Sequence, residues 1–117
     1  MNERLNQWLT QFAQVAGVQA CAVRYPDQST FTETREASFS REALENAWRC
    51  VADTFQVLKH YRAPALHLRW IFQHSLLYCL TRPDGICLLV FTTRKPQELD
   101  APRLQSLFEE FYEFAVD

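Results

Sequence analysis

Residues 76–91 read Leu-Leu-Tyr-Cys-Leu-Thr-Arg-Pro-Asp-Gly-Ile-Cys-Leu-Leu-Val-Phe, two continuous apolar runs separated by a polar turn. In that turn, Pro83 fixes one backbone dihedral and Gly85 supplies the positive φ that a tight hairpin requires. Continuous apolar runs are typical of strands that are covered on both faces. The segment therefore predicts a central β-hairpin in a sheet with helices packed on both sides.

Three further strands are predicted around this hairpin. Residues 66–73 alternate apolar and polar side chains, and residues 18–25 are mostly small or β-branched. A turn at residues 26–29 leads into residues 30–34, whose polar composition is typical of a half-exposed edge strand. The sequence thus predicts a second hairpin and one additional strand.

Helical spacing of apolar residues occurs three times, at residues 2–16, at residues 41–61 and from Asp100 onward. The middle helix has two neighbouring apolar stripes. Its core stripe comprises Leu44, Trp48, Val51, Phe55 and Leu58. Its second stripe, here called the small-residue stripe, comprises Ala43, Ala47, Cys50, Thr54, Val57 and Tyr61. The two stripes either pack against two different surfaces or both face the same sheet.

The order of these elements restricts the topology. Because the two continuous apolar strands must be interior and residues 30–34 must form an edge, the simplest five-stranded antiparallel sheet has the order 2-1-5-4-3. The middle helix then covers one face, and the first and last helices cover the other. We therefore expect residues 1–117 to form one three-layer α+β domain.

Composition excludes several classes of protein. The chain is 48% hydrophobic and 14% aromatic, which is too much apolar surface for a disordered protein. Its 12 basic and 14 acidic residues give a net charge of −2, which disfavours a nucleic-acid binder. No apolar run has the length of a membrane span, and the N-terminus does not resemble a secretion signal. With Gly17 and Gly85 as its only glycines, the chain has no glycine-rich phosphate loop.

The cysteines indicate a cellular compartment. Cys21, Cys50, Cys79 and Cys87 form no C-x-x-C pair and have no histidine at zinc-finger spacing. All four lie among apolar or small neighbours, where cysteine behaves as a small hydrophobic residue. We therefore expect four reduced, shielded thiols and a cytoplasmic protein.

No group of residues suggests catalysis. His60, His67 and His74 recur every seven residues, but they fall on a helix end, a strand and a turn, so their spacing implies no shared metal site. Asp53 lies two helical turns before His60, and no Ser or Cys completes a nucleophilic arrangement with them. We expect a protein that is not an enzyme and that binds neither cofactor nor metal.

The predicted topology leaves residues 66–73 at an edge of the sheet. This strand is apolar, contains no Pro and has Arg69 as its only fixed charge, so an uncovered edge would invite pairing with another chain. Together with the small-residue stripe, it predicts a homodimer. The expected interface comprises Ala43, Ala47, Cys50, Thr54, Val57, Leu66, Leu68, Trp70 and Phe72.

The chain resembles the roadblock / dynein light chain family over nearly all of its length, in particular its bacterial-type members. Residues 17–23 resemble the family's small-residue first strand; the long middle helix follows, and residues 76–91 resemble the second hairpin most closely. Family members often have Asp-Gly in the first hairpin turn, where this chain has Asp27-Gln28. The resemblance implies a regulatory dimer in which the third strands pair and the middle helices pack side by side. Such dimers are platforms for small Ras-like GTPases or parts of larger complexes.

The resemblance also directs attention to the polar face of the middle helix. Once the two apolar stripes are packed, five residues face outward, and we call them the polar ridge: Glu42, Glu45, Arg49, Asp53 and Gln56. The polar ridge carries both signs of charge, so we expect it to bond the switch segments of a GTPase without donating a catalytic group. A solvated helix face, which is what surface charges usually form, is the alternative interpretation of these five residues.

Two alternatives use the same elements. A small-molecule sensor of the profilin-like or GAF-like kind would need a cavity, which Trp48, Trp70 and Phe72 would line. A secretion-chaperone-like dimer has a similar size and acidity, but it usually has three strands before the middle helix, where this sequence predicts two.

Overall fold

The computed structural model describes residues 3–35, 39–61 and 67–115. Its strands are β1 (Val18–Arg24), β2 (Thr30–Thr34), β3 (His67–Ile71), β4 (Leu76–Thr81) and β5 (Cys87–Thr92). They form one antiparallel sheet in the order β2-β1-β5-β4-β3. The predicted α+β fold and its strand order are confirmed.

The helices are α1 (Glu3–Phe12), α2 (Arg41–His60) and α3 (Ala101–Glu113), with a 3-10 turn at Pro96–Glu98. α1 ends earlier than its apolar pattern predicts. After Phe12, the hydrogen bonds of Gln14 and Val15 reach only three residues back, which tightens the chain into turns. The turns lead to Gly17, whose φ is +91°; a Cβ there would lie 2.7 Å from a methyl carbon of Leu99. The close approach therefore requires glycine.

The other helix starts lie where their capping residues predict them. The Ser40 side chain accepts a hydrogen bond from the Ala43 N–H at 3.1 Å and caps α2. Asp100 caps α3 in the same way, accepting from the Arg103 N–H at 3.1 Å, and a proline lies in the first turn of that helix. Each cap lies directly before the first residue of its helix.

The sheet separates two hydrophobic cores. Side chains of α1 and α3 pack on one face, against residues that include Cys21, Val23, Leu88 and Val90. Side chains of α2 pack on the other face, against the intervening strand residues Ala20, Ala22, Leu77, Cys79, Leu89 and Phe91. Because successive strand residues point to opposite faces, a strand between two cores needs apolar residues at every position. This is the physical reason for the continuous runs in residues 76–91.

The core stripe of α2 is buried only along part of the helix. Leu44, Trp48 and Val51 are buried, whereas Phe55 and Leu58 are half-buried. The apolar pattern of the sequence thus extends further along α2 than full burial does.

The two hairpin turns differ in their chemistry. Gly85 in the β4–β5 turn has φ +88°, as predicted. Gln28 in the β1–β2 turn has φ +73° although it is not a glycine. The Asp27 carboxylate accepts hydrogen bonds from the N–H and hydroxyl of Ser29, and these bonds lower the pKa of Asp27. A side chain of the turn thus helps to hold a backbone conformation that usually favours glycine.

Candidate functional site

The outer edge of β3 has unpaired backbone groups. Opposite residues of two antiparallel strands alternate between pairs that exchange backbone hydrogen bonds and pairs that do not. Phe72 donates its N–H to the Ser75 carbonyl at 2.9 Å, so Phe72 and Ser75 form a hydrogen-bonded pair, and every second residue before Phe72 bonds to β4 in the same way. In this alternation Leu68 and Trp70 bond to β4, and the N–H and C=O groups of His67, Arg69 and Ile71 point outward. Because β3 is the last strand of the described sheet, no strand in the described residues meets these groups.

Exposed apolar side chains occur on both elements of the predicted interface. Five large hydrophobic residues are exposed in the part of the chain that the structure describes, and four of them lie at the end of α2 or at the end of β3. They are Val57, Tyr61, Ile71 and Phe72, with exposures of 56%, 75%, 61% and 44%. Ile71 and Phe72 are consecutive and therefore point to opposite faces of the sheet.

A groove of about 500 Å³ joins the small-residue stripe to the turn after β3. Among the residues that line it are Ala43, Ala47, Cys50, Phe72 and His74. Three predicted interface residues of α2, namely Ala43, Ala47 and Cys50, thus lie next to Phe72, a predicted interface residue at the end of β3. Thr54 and Val57 continue the stripe along α2, and Leu68 and Trp70 are half-buried on β3. Leu66 lies outside the described residues.

All five residues of the polar ridge are exposed. Glu45 differs from the other four because its carboxylate lies 3.2 Å from Nη2 of Arg24, a residue of β1. The other four make no ion pair within the described parts of the chain. The Glu45 carboxylate therefore already has a charged partner on β1 of its own chain.

A second groove, of about 640 Å³, lies between β2 and the first half of α2. Thr30, Thr32 and Thr34 line its sheet side, and Arg41, Leu44, Glu45 and Trp48 are among the residues of its helix side. None of these threonines is among the predicted site residues. Their recurrence at every second position of a strand was the available signal, since alternate residues share one face of a sheet.

The prediction of four shielded thiols is wrong for Cys50, which is exposed. It lies on the small-residue stripe, in which Ala43, Val57 and Tyr61 are also exposed, whereas Ala47 packs against the core on the α2 side of the sheet. Cys21 and Cys79 are buried, and burial raises the pKa of both thiols. Cys87 is half-buried, and burial also raises the pKa of its thiol.

The three histidines lie on the end of α2, on β3 and in the turn after β3, as predicted. No group of three His, Cys, Asp or Glu residues in the described segments could hold a metal ion. The His67 ring packs between the rings of Tyr78 and Phe108, with centroids 6.0 and 5.4 Å away. Burial, and then the charge of Arg69, lower the pKa of His67.

Two of the three aromatic residues of the sensor alternative line different grooves, and Trp70 packs against the same core as Trp48. Trp48 lines the groove beside β2, and Phe72 lines the groove beside β3. Two strands, β1 and β2, precede α2, as the sequence predicts.

No known protein family matches the sequence, and no curated protein is significantly similar to it. Within residues 3–35, 39–61 and 67–115, no helix has both the length and the apolar character that a membrane crossing requires.

Proposed function

We propose that this protein is a non-catalytic, roadblock-like homodimer that serves as a regulatory or scaffold platform for a protein partner. The observation that carries the proposal is the outer edge of β3, which no described strand meets, together with exposed apolar residues on β3 and at the end of α2. An edge strand with unpaired backbone groups and exposed apolar side chains is suited to pairing with the same strand of a second copy.

The charge of Arg69 favours one register for this pairing. If two β3 strands paired around a two-fold axis at Arg69, the two guanidinium groups would be directly opposite each other, which is destabilising. An axis at Trp70 instead places Arg69 opposite the partner's Ile71. It also pairs the two Trp70 rings, which lie on the α2 side of the sheet. This register draws the exposed Ile71 and Phe72 into the interface.

The same two-fold axis would bring the α2 helices together in opposite directions. The first half of α2 offers small residues such as Ala43 and Ala47, and the second half offers the protruding Val57 and Tyr61. An antiparallel pair therefore sets large side chains of one copy against small ones of the other.

The partner surface of this proposal is the polar ridge without Glu45. Glu42, Arg49, Asp53 and Gln56 are exposed and make no ion pair among the described residues. A small Ras-like GTPase is the partner that the family resemblance suggests. Holding its switch segments in one conformation would bias nucleotide exchange or hydrolysis without a catalytic group from this chain.

The partner proposal is tested by affinity capture from the source organism in GDP and in a non-hydrolysable GTP analogue, with mass spectrometry of the captured proteins. We expect a small GTPase whose capture depends on the nucleotide. Capture should be lost with the double variant Arg49→Glu, Asp53→Lys, because it inverts two of the charges on the polar ridge.

The matched control is Glu109→Lys, an exposed charge reversal on α3. This variant should capture the same GTPase as the unchanged protein. If no GTPase is captured, or if the ridge variant captures it equally well, the polar ridge is not a GTPase docking surface.

A further inference from the structure

At the opposite edge of the sheet, β2 pairs only with β1 among the described strands. Hydrogen bonds from the Tyr25 N–H to the Ser29 carbonyl and from the Arg35 N–H to the Gln19 carbonyl, both 2.9 Å, bracket the β1–β2 ladder. The alternation of an antiparallel ladder then directs the backbone groups of Thr30, Thr32 and Thr34 away from β1. Three consecutive edge positions therefore have N–H and C=O groups that an added strand could bond.

The same three threonines also line the groove of about 640 Å³ described above. Their register partners on β1 include Ala20 and Ala22, which belong to the core on the α2 side. A strand added to β2 would present its own alternate residues to this side. The free edge and the groove thus form one continuous surface, with backbone groups along its border and side-chain hydroxyls inside.

The charges of the groove favour an acidic ligand. Arg41 is exposed and makes no ion pair in the described parts of the chain, and it begins α2, whose N-terminus favours negative charge. Glu45 is neutralised by Arg24 at 3.2 Å. Glu33, the acidic residue of β2, is on the other face, where Thr10 donates a hydrogen bond to it at 3.1 Å.

Trp48 also lines the groove, and the residue is only 4% exposed. Its indole N–H is buried and has no acceptor among the described residues, a property that it shares with Trp8 on the other face of the sheet. The indication of a ligand therefore comes from the edge of β2, the groove beside it and the charge of Arg41.

We propose that β2 and the groove beside it bind an extended acidic segment of a partner protein as a sixth strand, with a carboxylate side chain directed toward Arg41. Main-chain hydrogen bonds to Thr30, Thr32 and Thr34 would supply affinity, and the groove would supply selectivity for the acidic residue. Because β2 and β3 are at opposite edges of the sheet, this site does not depend on the proposed dimer.

The test uses capped heptapeptides of alternating Thr and Val with Asp, Asn or Lys at the central position, titrated by fluorescence polarisation. We expect the Asp peptide to bind saturably and at least about tenfold more tightly than the Lys peptide. Amide hydrogen exchange at Thr30, Thr32 and Thr34 should slow when the Asp peptide is saturating, because the new strand bonds those groups.

Two protein variants test the role of charge. Arg41→Glu should reverse the preference from the Asp to the Lys peptide, whereas Arg49→Glu, the same change on the polar ridge of the same helix, should leave the preference unchanged. The proposal is overturned if no peptide binds saturably below about 1 mM, if exchange at the three threonines is unaltered, or if Arg41→Glu does not change the preference. Light scattering of the Arg41→Glu variant measures its molar mass, so the proposed dimer is tested independently of peptide binding.

Discussion

The guanidinium carbon of Arg24 lies 4.6 Å from the centre of the Trp48 ring, while Nη2 of the same side chain is 3.2 Å from the Glu45 carboxylate. Its Nε also donates to the Thr30 hydroxyl at 3.1 Å. Arg24 belongs to β1, whereas Trp48 and Glu45 belong to α2. This one side chain therefore connects the sheet to the helix beside the hydrophobic core.

We expect Arg24→Ala to lower the free energy of unfolding by about 1–2 kcal/mol, because it removes a cation–π contact together with an ion pair. Glu45→Gln removes the ion pair alone and should cost about 0.5 kcal/mol, since that pair is partly exposed. Urea denaturation measures both variants. Equal losses for the two variants would show that the contact with Trp48 contributes nothing.

Gln28→Gly should raise the free energy of unfolding by about 0.5 kcal/mol. Gln28 has φ +73°, a conformation that costs a residue with a side chain about 1 kcal/mol; the gain is partly offset because glycine makes the unfolded chain more flexible. Gln28→Ala is the matched control and should change stability little. The account of this turn is wrong if the Gly and Ala variants melt at the same temperature.

Acidification should destabilise the fold through His67. Burial lowers the pKa of His67 in the folded state below the ordinary 6.5, so the unfolded chain takes up the proton more readily. The free energy of unfolding should therefore be unaffected by this group above pH 6.5 and should fall as the pH drops below that value. Urea denaturation between pH 5 and 7.5 should show a smaller fall for His67→Gln. An identical pH dependence in the variant would contradict the assignment.

The four thiols should react at very different rates. Cys50 is exposed, whereas Cys21 and Cys79 are buried with raised pKa values, so an aromatic disulfide reagent should modify Cys50 first and the other two only on unfolding. If the small-residue stripe packs in a dimer, Cys50 should also react more slowly as the protein concentration rises. Mass spectrometry of the labelled cysteines measures both effects. Labelling of Cys21 as fast as that of Cys50 would refute the burial argument.

The features that the sequence predicted correctly are local ones. The apolar runs on either side of Pro83 and Gly85 determine the interior hairpin, and Ser40 and Asp100 determine two helix starts, because each of these signals acts within a few residues. The strand order followed because interior and edge strands differ in composition.

The features that the sequence did not predict depend on distant parts of the chain. α1 ends early because Gly17 must pass close to Leu99, more than 80 residues away in sequence. Burial of the core stripe decreases beyond Val51 although the apolar pattern continues. The ion pair between Glu45 and Arg24 forms only when α2 packs on the sheet. A helical pattern predicts which face of a helix is apolar, but not how much of that face the rest of the chain covers.

The molar mass in solution tests the proposed homodimer most directly. Multi-angle light scattering at micromolar concentrations should give twice the 13.8 kDa of one chain. Ala47→Arg should reduce the mass to that of one chain, because it places an unpaired charge in the helix contact, whereas Ala52→Arg, at an exposed position of α2 outside the small-residue stripe, should leave the dimer intact. A mass of 13.8 kDa for the unchanged protein would contradict the account.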